Sequence, residues 1–272
     1  MSSNLLDRQI DDILHTVLED ATGDVLVVNP SSDAIEEFVR VATRFEGDLP
    51  TVHMLADERT LKDVMDDFIV ASNAADLVDR GELELRTVEQ TPENSLLVTE
   101  DTVVALVTAG NRVGGLTTDD GEFVTTAYDA YTSEWEAAEP FKLRTPPISR
   151  VRETLESDIG PQAEADFTTI LDSLETARGD GEGLDEVTIS LLVAAKNEAL
   201  LYDISKWGED VGIASKATFS RTKTKLEDMG LIDTEKVPID VGRPRLRLKI
   251  GDDRLREADN GQLASVAQSI LN

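Results

Sequence analysis

The chain has 272 residues, enough for two domains with apolar cores, and its 26 lysines and arginines against 55 aspartates and glutamates leave a formal charge of −29. An excess of that sign excludes a generally basic nucleic-acid or membrane binder, so a polyanionic partner requires a local cationic patch. The absence of cysteine excludes a disulfide framework, a thiolate metal site and a cysteine nucleophile.

From the N-terminus, Leu5, Leu6, Ile10, Ile13, Leu14 and Leu18 recur at helical spacing and predict an amphipathic helix, with Gly23 after it. This opening lacks a basic leader followed by an apolar run, and no later stretch approaches membrane-spanning length; the expected location is the cytoplasm, with no membrane partner. Val25 to Val28 is a continuous β-branched run of the kind buried on both faces of a sheet. Asn29, Pro30, Ser31 and Ser32 supply a turn and a helix cap, and Ile35, Phe38, Val39 and Ala42 mark the face of the helix that follows. Residues 51–55 predict a strand, 58–78 one long helix, 83–88 and 95–99 two strands, and 102–108 another strand reached by a reversal at Val98 to Thr102. A helix with Trp135 closes the series at 123–138. The fold class is α/β: an N-terminal Rossmann-like domain with a mixed or parallel sheet over 1–145, expected to act as the regulatory or sensing part.

Thr145, Pro146 and Pro147 break this domain, and two helices are expected in a connector over 146–178. Three glycines in six residues, Arg178 to Gly183, predict a hinge over 179–185, where the main boundary is placed. A helix-turn-helix is expected next, within 186–250, and a helical tail over 251–272. Val187 to Ala195 builds a mostly apolar helix, and Leu200, Leu201, Ile204 and Val211 a second. Gly212 permits the positive φ of a tight turn, and Ser215 caps a third helix.

In that third helix Phe219, Lys223 by its stem, Leu226 and Met229 point inward, while Lys216, Thr218, Ser220, Arg221 and Lys225 project outward. This set suits a helix entering the major groove, where Ser215 opens it. Arg245 to Ile250 alternates cationic and apolar residues with period two, and Val241 to Pro244 forms a turn expected to lift Arg243 and Arg245 onto the tip of a β-hairpin wing. From Ser215 to Lys249 nine basic residues face five acidic ones, a net of +4, so the rest of the chain carries −33. Lys62 and Lys142 are the only lysines before residue 180. A carboxylate-rich surface of this kind keeps a protein hydrated in concentrated salt, and the composition points to a salt-adapted protein.

The stretches Gly212 to Arg221, Leu226 to Ile232 and Gly242 to Pro244 resemble archaeal and bacterial winged-helix regulators. With Val27 to Ala34 and Leu143 to Arg150 included, the whole chain resembles the TbsP family of haloarchaeal transcriptional regulators. That resemblance implies a DNA-binding regulator of central carbon metabolism genes, gluconeogenesis and sugar use among them, acting alongside a sugar-responsive regulator called TrmB. One departure from the general motif, the extra residue Ala214 before Ser215, leaves the start of the recognition helix open by one position.

Other candidate sites are weaker. Asn29, Ser31 and Ser32 at a helix N-terminus form a candidate anion or metabolite loop, weighed against a plain cap. Gly110 to Gly115 lacks the spacing and the lysine of a phosphate loop and reads as a glycine-rich turn. His15 and His53 are unpaired in sequence, the carboxylates of Asp57 to Asp67 belong to a solvated helix, and no nucleophile, base and orienter assemble; no metal, cofactor or enzymatic activity is expected. The expected partners are double-stranded promoter DNA and a second copy in a homodimer. The rival readings are a metabolite-binding module or enzyme whose winged helix contacts protein, and a chromatin-like binder without sequence preference.

Overall fold

A computed structural model describes residues 4–88, 93–110, 112–178, 184–238 and 244–271. The chain forms two compact units, Met1–Met65 with Asn73–Leu143 and Asp66–Ser72 with Arg144–Asn272. Among the described residues no helix is long and apolar enough to cross a membrane.

The first unit runs β1 (Leu5–Arg8), α1 (Ile10–Asp20), β2 (Val25–Val28), α2 (Ser32–Thr43), β3 (Val52–Ala56), α3 (Glu58–Met65), α4 (Phe68–Asp79, its first turn counted with the second unit), β4 (Leu83–Thr87), β5 (Leu96–Val98), β6 (Val103–Ala109), β7 (Arg112–Thr118), α5 (Gly121–Ala137) and β8 (Glu139–Pro140). Its strands make one mixed sheet in the order β1-β7-β6-β5-β2-β3-β4-β8. The β2-β3-β4 centre is parallel, with Val25 opposite Val52 and Val52 opposite Leu83; the remaining pairs are antiparallel. On one face α2 packs between α1 and α3. On the other face α5 packs Val124 and Trp135 over Leu26, Val28, Leu55 and Val98.

Three expectations need correction. The first helix begins at Ile10, because Gln9 and Asp12 form a capping box there; Leu5 lies in β1, opposite Gly115 of β7. The expected long helix 58–78 is broken: the Asp67 carboxylate accepts the Ile69 amide at 2.9 Å and so starts a new helix. The Gly110 to Gly115 stretch turns only at its beginning, where Gly110 has φ +67°, and Arg112 onward is strand. An added Cβ at Gly115 would lie 2.8 Å from Val104 Cγ1 and 3.4 Å from Ile13 Cγ2, so its glycine serves close packing under α1. Asn111 falls outside the described residues.

The second unit contains α6 (Ile148–Asp158), α7 (Pro161–Asp172), α8 (Glu186–Lys196), α9 (Leu201–Val211), α10 (Lys216–Asp228), β9 (Ile232–Val237), β10 (Arg245–Ile250), α11 (Asp253–Glu257) and α12 (Asn260–Leu271). The segment read as a connector and the segment read as a tail both enter its core: Val151, Leu155 and Phe167 join Leu192, Trp207 and Phe219, as do Leu263 and Ala267. Trp207 of α9 packs edge-on to Phe167 and donates Nε1–H to Thr154 Oγ1 at 2.9 Å. Two buried carboxylates are matched by donors. Asp166 accepts from Asn197 and Gln162 and pairs with Lys196, while Asp67 accepts from Thr176 and the Ala177 amide and pairs with Arg178. The hinge expected over 179–185 lies outside the described residues except for Leu184, which is buried, and Asp185, which caps α8.

Candidate nucleic-acid interface

The helix-turn-helix is built on one close approach. Gly208 of α9 lies so near the Phe219 ring of α10 that an added Cβ would be 2.3 Å from two ring carbons. This glycine lets the helices cross with Phe219 fully buried between them. At the end of α9, Gly212 takes φ +98° and ψ +17°, and the Ile213 amide donates to Gly208 O at 2.8 Å. Ile213 and Ala214 form the turn. Ser215 is the N-cap, its Oγ accepting the Thr218 amide at 3.2 Å, so Ala214 belongs to the turn and α10 starts at Lys216.

Along α10, Phe219, Lys223 and Leu226 are buried, while Ser220, Arg221, Thr224 and Lys225 are exposed on the opposite side. Lys223 is structural: its ammonium meets Glu227 at 2.7 Å, and Glu227 accepts from Thr234. Both contacts hold the Glu227 carboxyl below its ordinary range, the lysine hydrogen bond foremost. Of the expected outward residues, Arg221 reaches only Thr218 Oγ1, at 3.3 Å, and neither Arg221 nor Lys225 forms an ion pair among the described residues. Lys216 is exposed but held by Glu209 at 2.7 Å. That hydrogen bond raises the lysine pKa and lowers that of Glu209.

The wing strands pair antiparallel from Arg245 opposite Val237 to Ile250 opposite Ile232, and Leu200 adds a bridge to Arg247. Leu248 and Ile250 face the core, as the alternation requires. The cationic face behaves otherwise than expected. Arg245 lies over the Tyr202 ring at 3.9 Å and pairs with Asp203 at 3.2 Å, so it is folded back on α9 instead of projecting from the wing tip. Lys249 pairs with Glu235 at 2.7 Å, which raises the lysine pKa and lowers that of the glutamate. Arg243 lies outside the described residues. Tyr202, Asp203, Glu209 and Glu235 were missed in the sequence: they lie on other elements than their partners, Tyr202 and Asp203 some forty residues from Arg245, and no helical spacing joins them.

At the candidate loop of the first unit, Ser31 Oγ caps α2 by accepting the Ala34 amide at 3.2 Å, and Asn29 has φ +47° with its amide bonded to Leu55 O. Ser31 and Ser32 are exposed. Two cavities of the unit, about 380 and 600 Å³, are lined by other residues. His15 stacks on Phe45, and His53 sits between Trp135 and Asp24. Among the described residues no three His, Cys, Asp or Glu side chains are grouped to hold a metal.

Two family models together match nearly the whole chain. One, described as transcriptional regulator TbsP-like, N-terminal, covers residues 2–146; the other, the TbsP-like C-terminal HTH domain, covers residues 147–268. No curated protein matches the chain. Among solved structures, TrmBL2, described as an archaeal chromatin protein with a novel mode of DNA binding, aligns at TM-score 0.37 and 17% identity, over 52% of this chain and 54% of that one. NucT from Helicobacter pylori aligns at TM-score 0.36 and 15% identity, over 51% of this chain and 98% of that one. The chain thus spans about half the length of the first of these. Likenesses this distant carry no argument about activity.

Proposed function

The chain belongs to the TbsP-like family of transcriptional regulators with a C-terminal helix-turn-helix, and from that membership we propose that it binds duplex promoter DNA with sequence preference, as a homodimer, through the exposed side of α10. The carrying observation is the stretch from Lys216 to Lys225, which has no carboxylate in a chain of charge −29 and turns Ser220, Arg221, Thr224 and Lys225 outward together. Arg221 has the reach for a guanine edge, Ser220 and Thr224 bring short hydroxyls to bases or phosphates, and Lys225 suits a phosphate. Lys216, with Ser215 and Thr218 at the helix start, and Arg243 of the wing complete the proposed contact set.

The acidic remainder repels misaligned duplex, so encounter is oriented by the one cationic stripe. A salt-adapted protein gains little from counterion release, and selectivity then rests on base-edge and shape contacts. Control of central carbon metabolism genes enters the proposal on the family resemblance alone.

Fluorescence anisotropy in molar potassium chloride, with a promoter fragment and a scrambled duplex, tests the reading. Arg221→Ala is expected to weaken promoter binding about 10- to 100-fold and to narrow the gap between the two duplexes. Lys225→Ala is expected to weaken both alike. Wild-type affinity in both variants sinks the proposal, and equal binding of the two duplexes by the wild type replaces it with a chromatin-like binder.

A further inference from the structure

We propose that the uncovered part of the first unit's sheet, on β1, β7 and β6 beside α5, is the surface on which a second copy of this chain packs. The inference deepens the dimeric reading above and rests on it.

The sheet has eight strands, and on the α5 face that single helix lies over β2 and β5. The cover ends along β6, where Val103 is still buried under α5 and Val107 is exposed. Val107 stands directly opposite Gly114, and Leu116 is two residues along the same strand, so Val107 and Leu116 share a face. Leu6 joins them, since a Cβ at Gly114 would lie 3.2 Å from its Cδ2. Leu6, Val107 and Leu116 are 55%, 45% and 47% exposed, and Phe123, in the first turn of α5, is 56% exposed. Of the six exposed large apolar side chains among the described residues, four therefore lie together. Leu116 and Phe123 also line the 600 Å³ groove between strands and helix.

Charge identifies the occupant. In a chain where 55 of 272 residues are acidic, the lining of this groove contains neither a carboxylate nor a cation. An acidic or basic partner finds nothing to pair with there. A second copy brings the same uncharged groove lining, with Arg112 the nearby cation on that face of β7, whereas most other approaches of two chains carrying −29 each set carboxylates against carboxylates. Two-fold packing is self-complementary by construction. The four exposed side chains offer on the order of 300–400 Å² per copy, the size of the largest apolar patch on a soluble monomer, which is often a binding surface. That area suits the centre of an interface hiding about 800 Å² per partner.

Sedimentation of the full chain in molar potassium chloride provides the test. The wild type is expected at the mass of two chains, Leu116→Asp and Phe123→Asp at the mass of one with unchanged circular dichroism, and Val78→Asp, an exposed apolar site elsewhere, at two. Because the chain has no cysteine, Leu116→Cys and Val107→Cys give a second readout that does not depend on tolerance of a buried charge: a bismaleimide should join each variant into a doubled band. A wild type sedimenting as one chain, aspartate variants that stay paired, or cysteines that do not cross-link while the wild type is paired each overturn the proposal. Leu116→Asp should keep half-site affinity while losing roughly 10- to 100-fold on a duplex with two half-sites. Failure of the DNA reading looks different: a chain of two-copy mass that binds no duplex.

Discussion

From Lys216 to Lys225, α10 sets Arg221 and Lys225 outward without an ion pair, whereas β10 turns Arg245 and Lys249 toward Asp203 and Glu235. The two segments carry a similar density of cations, and what separates them is the company each geometry enforces. The outward side of a helix has no neighbours beyond its own turns. A hairpin strand has a partner at about 5 Å along its whole length, and here β9 puts Glu235 opposite Arg247 and Asp233 opposite Lys249. Cation count along the chain therefore overstates what β10 offers a phosphate: Arg245 and Lys249 are held by carboxylates, and of its three cations Arg247 alone forms no ion pair among the described residues. The latches on the wing are surface pairs that water and salt screen, so they tune DNA binding without forbidding it.

The strongest way to break this comparison leaves every charge in place. Gly208→Ala pushes a methyl into the Phe219 ring, and either helix must move. The expected cost is about 1–3 kcal/mol of unfolding stability, read by urea titration, together with loss of promoter binding because α10 is displaced. A variant with wild-type stability and affinity contradicts the crossing described. Next in size is the contrast between two arginines. Arg245→Ala should cost about 1 kcal/mol of stability through the lost Tyr202 and Asp203 contacts, while promoter affinity falls by less than about 3-fold. Should it cost as much affinity as Arg221→Ala in a fully folded protein, the wing is a contact surface equal to the helix.

Much of this architecture was legible in the residues. The strand at Val25, the reversal at Val98 to Thr102, the turn at Gly212 and the cap at Ser215 each rest on a local rule, and local rules act within a few residues. The misread places have a different cause. Leu5 and Leu6 fit a helical period, yet they pair with β7, more than a hundred residues away. Asp67 splits a helix because Thr176, Ala177 and Arg178 surround its carboxylate, and nothing near Asp67 in sequence announces them. The candidate interface divides along the same line. Burial of Phe219 and exposure of Arg221 follow from helical period, while Glu209 on Lys216 and Asp203 on Arg245 are tertiary facts.

A smaller effect sharpens the comparison at Lys216, the exposed cation of α10 that a carboxylate of α9 holds. Glu209→Gln removes the carboxylate that holds Lys216 yet keeps an oxygen for the Lys216 amide, which Glu209 accepts at 3.3 Å. The freed ammonium should tighten DNA binding about 2- to 5-fold in dilute salt, and the gain should shrink in molar salt. An unchanged affinity at low salt places Lys216 away from the duplex.

The smallest expected effect is acid titration of the wing latch. The Lys249 hydrogen bond holds the Glu235 carboxyl below its ordinary range. A carboxyl whose folded value is depressed lends stability in full above its unfolded value and loses it as pH falls through the folded one. The difference in thermal midpoint between wild type and Glu235→Gln should therefore be present above about pH 5 and fade on acidification. Both partners are exposed, so concentrated salt should shrink it as well. A difference that grows on acidification reverses the sign of the argument, and with it the claim that Glu235 already holds Lys249 before DNA arrives.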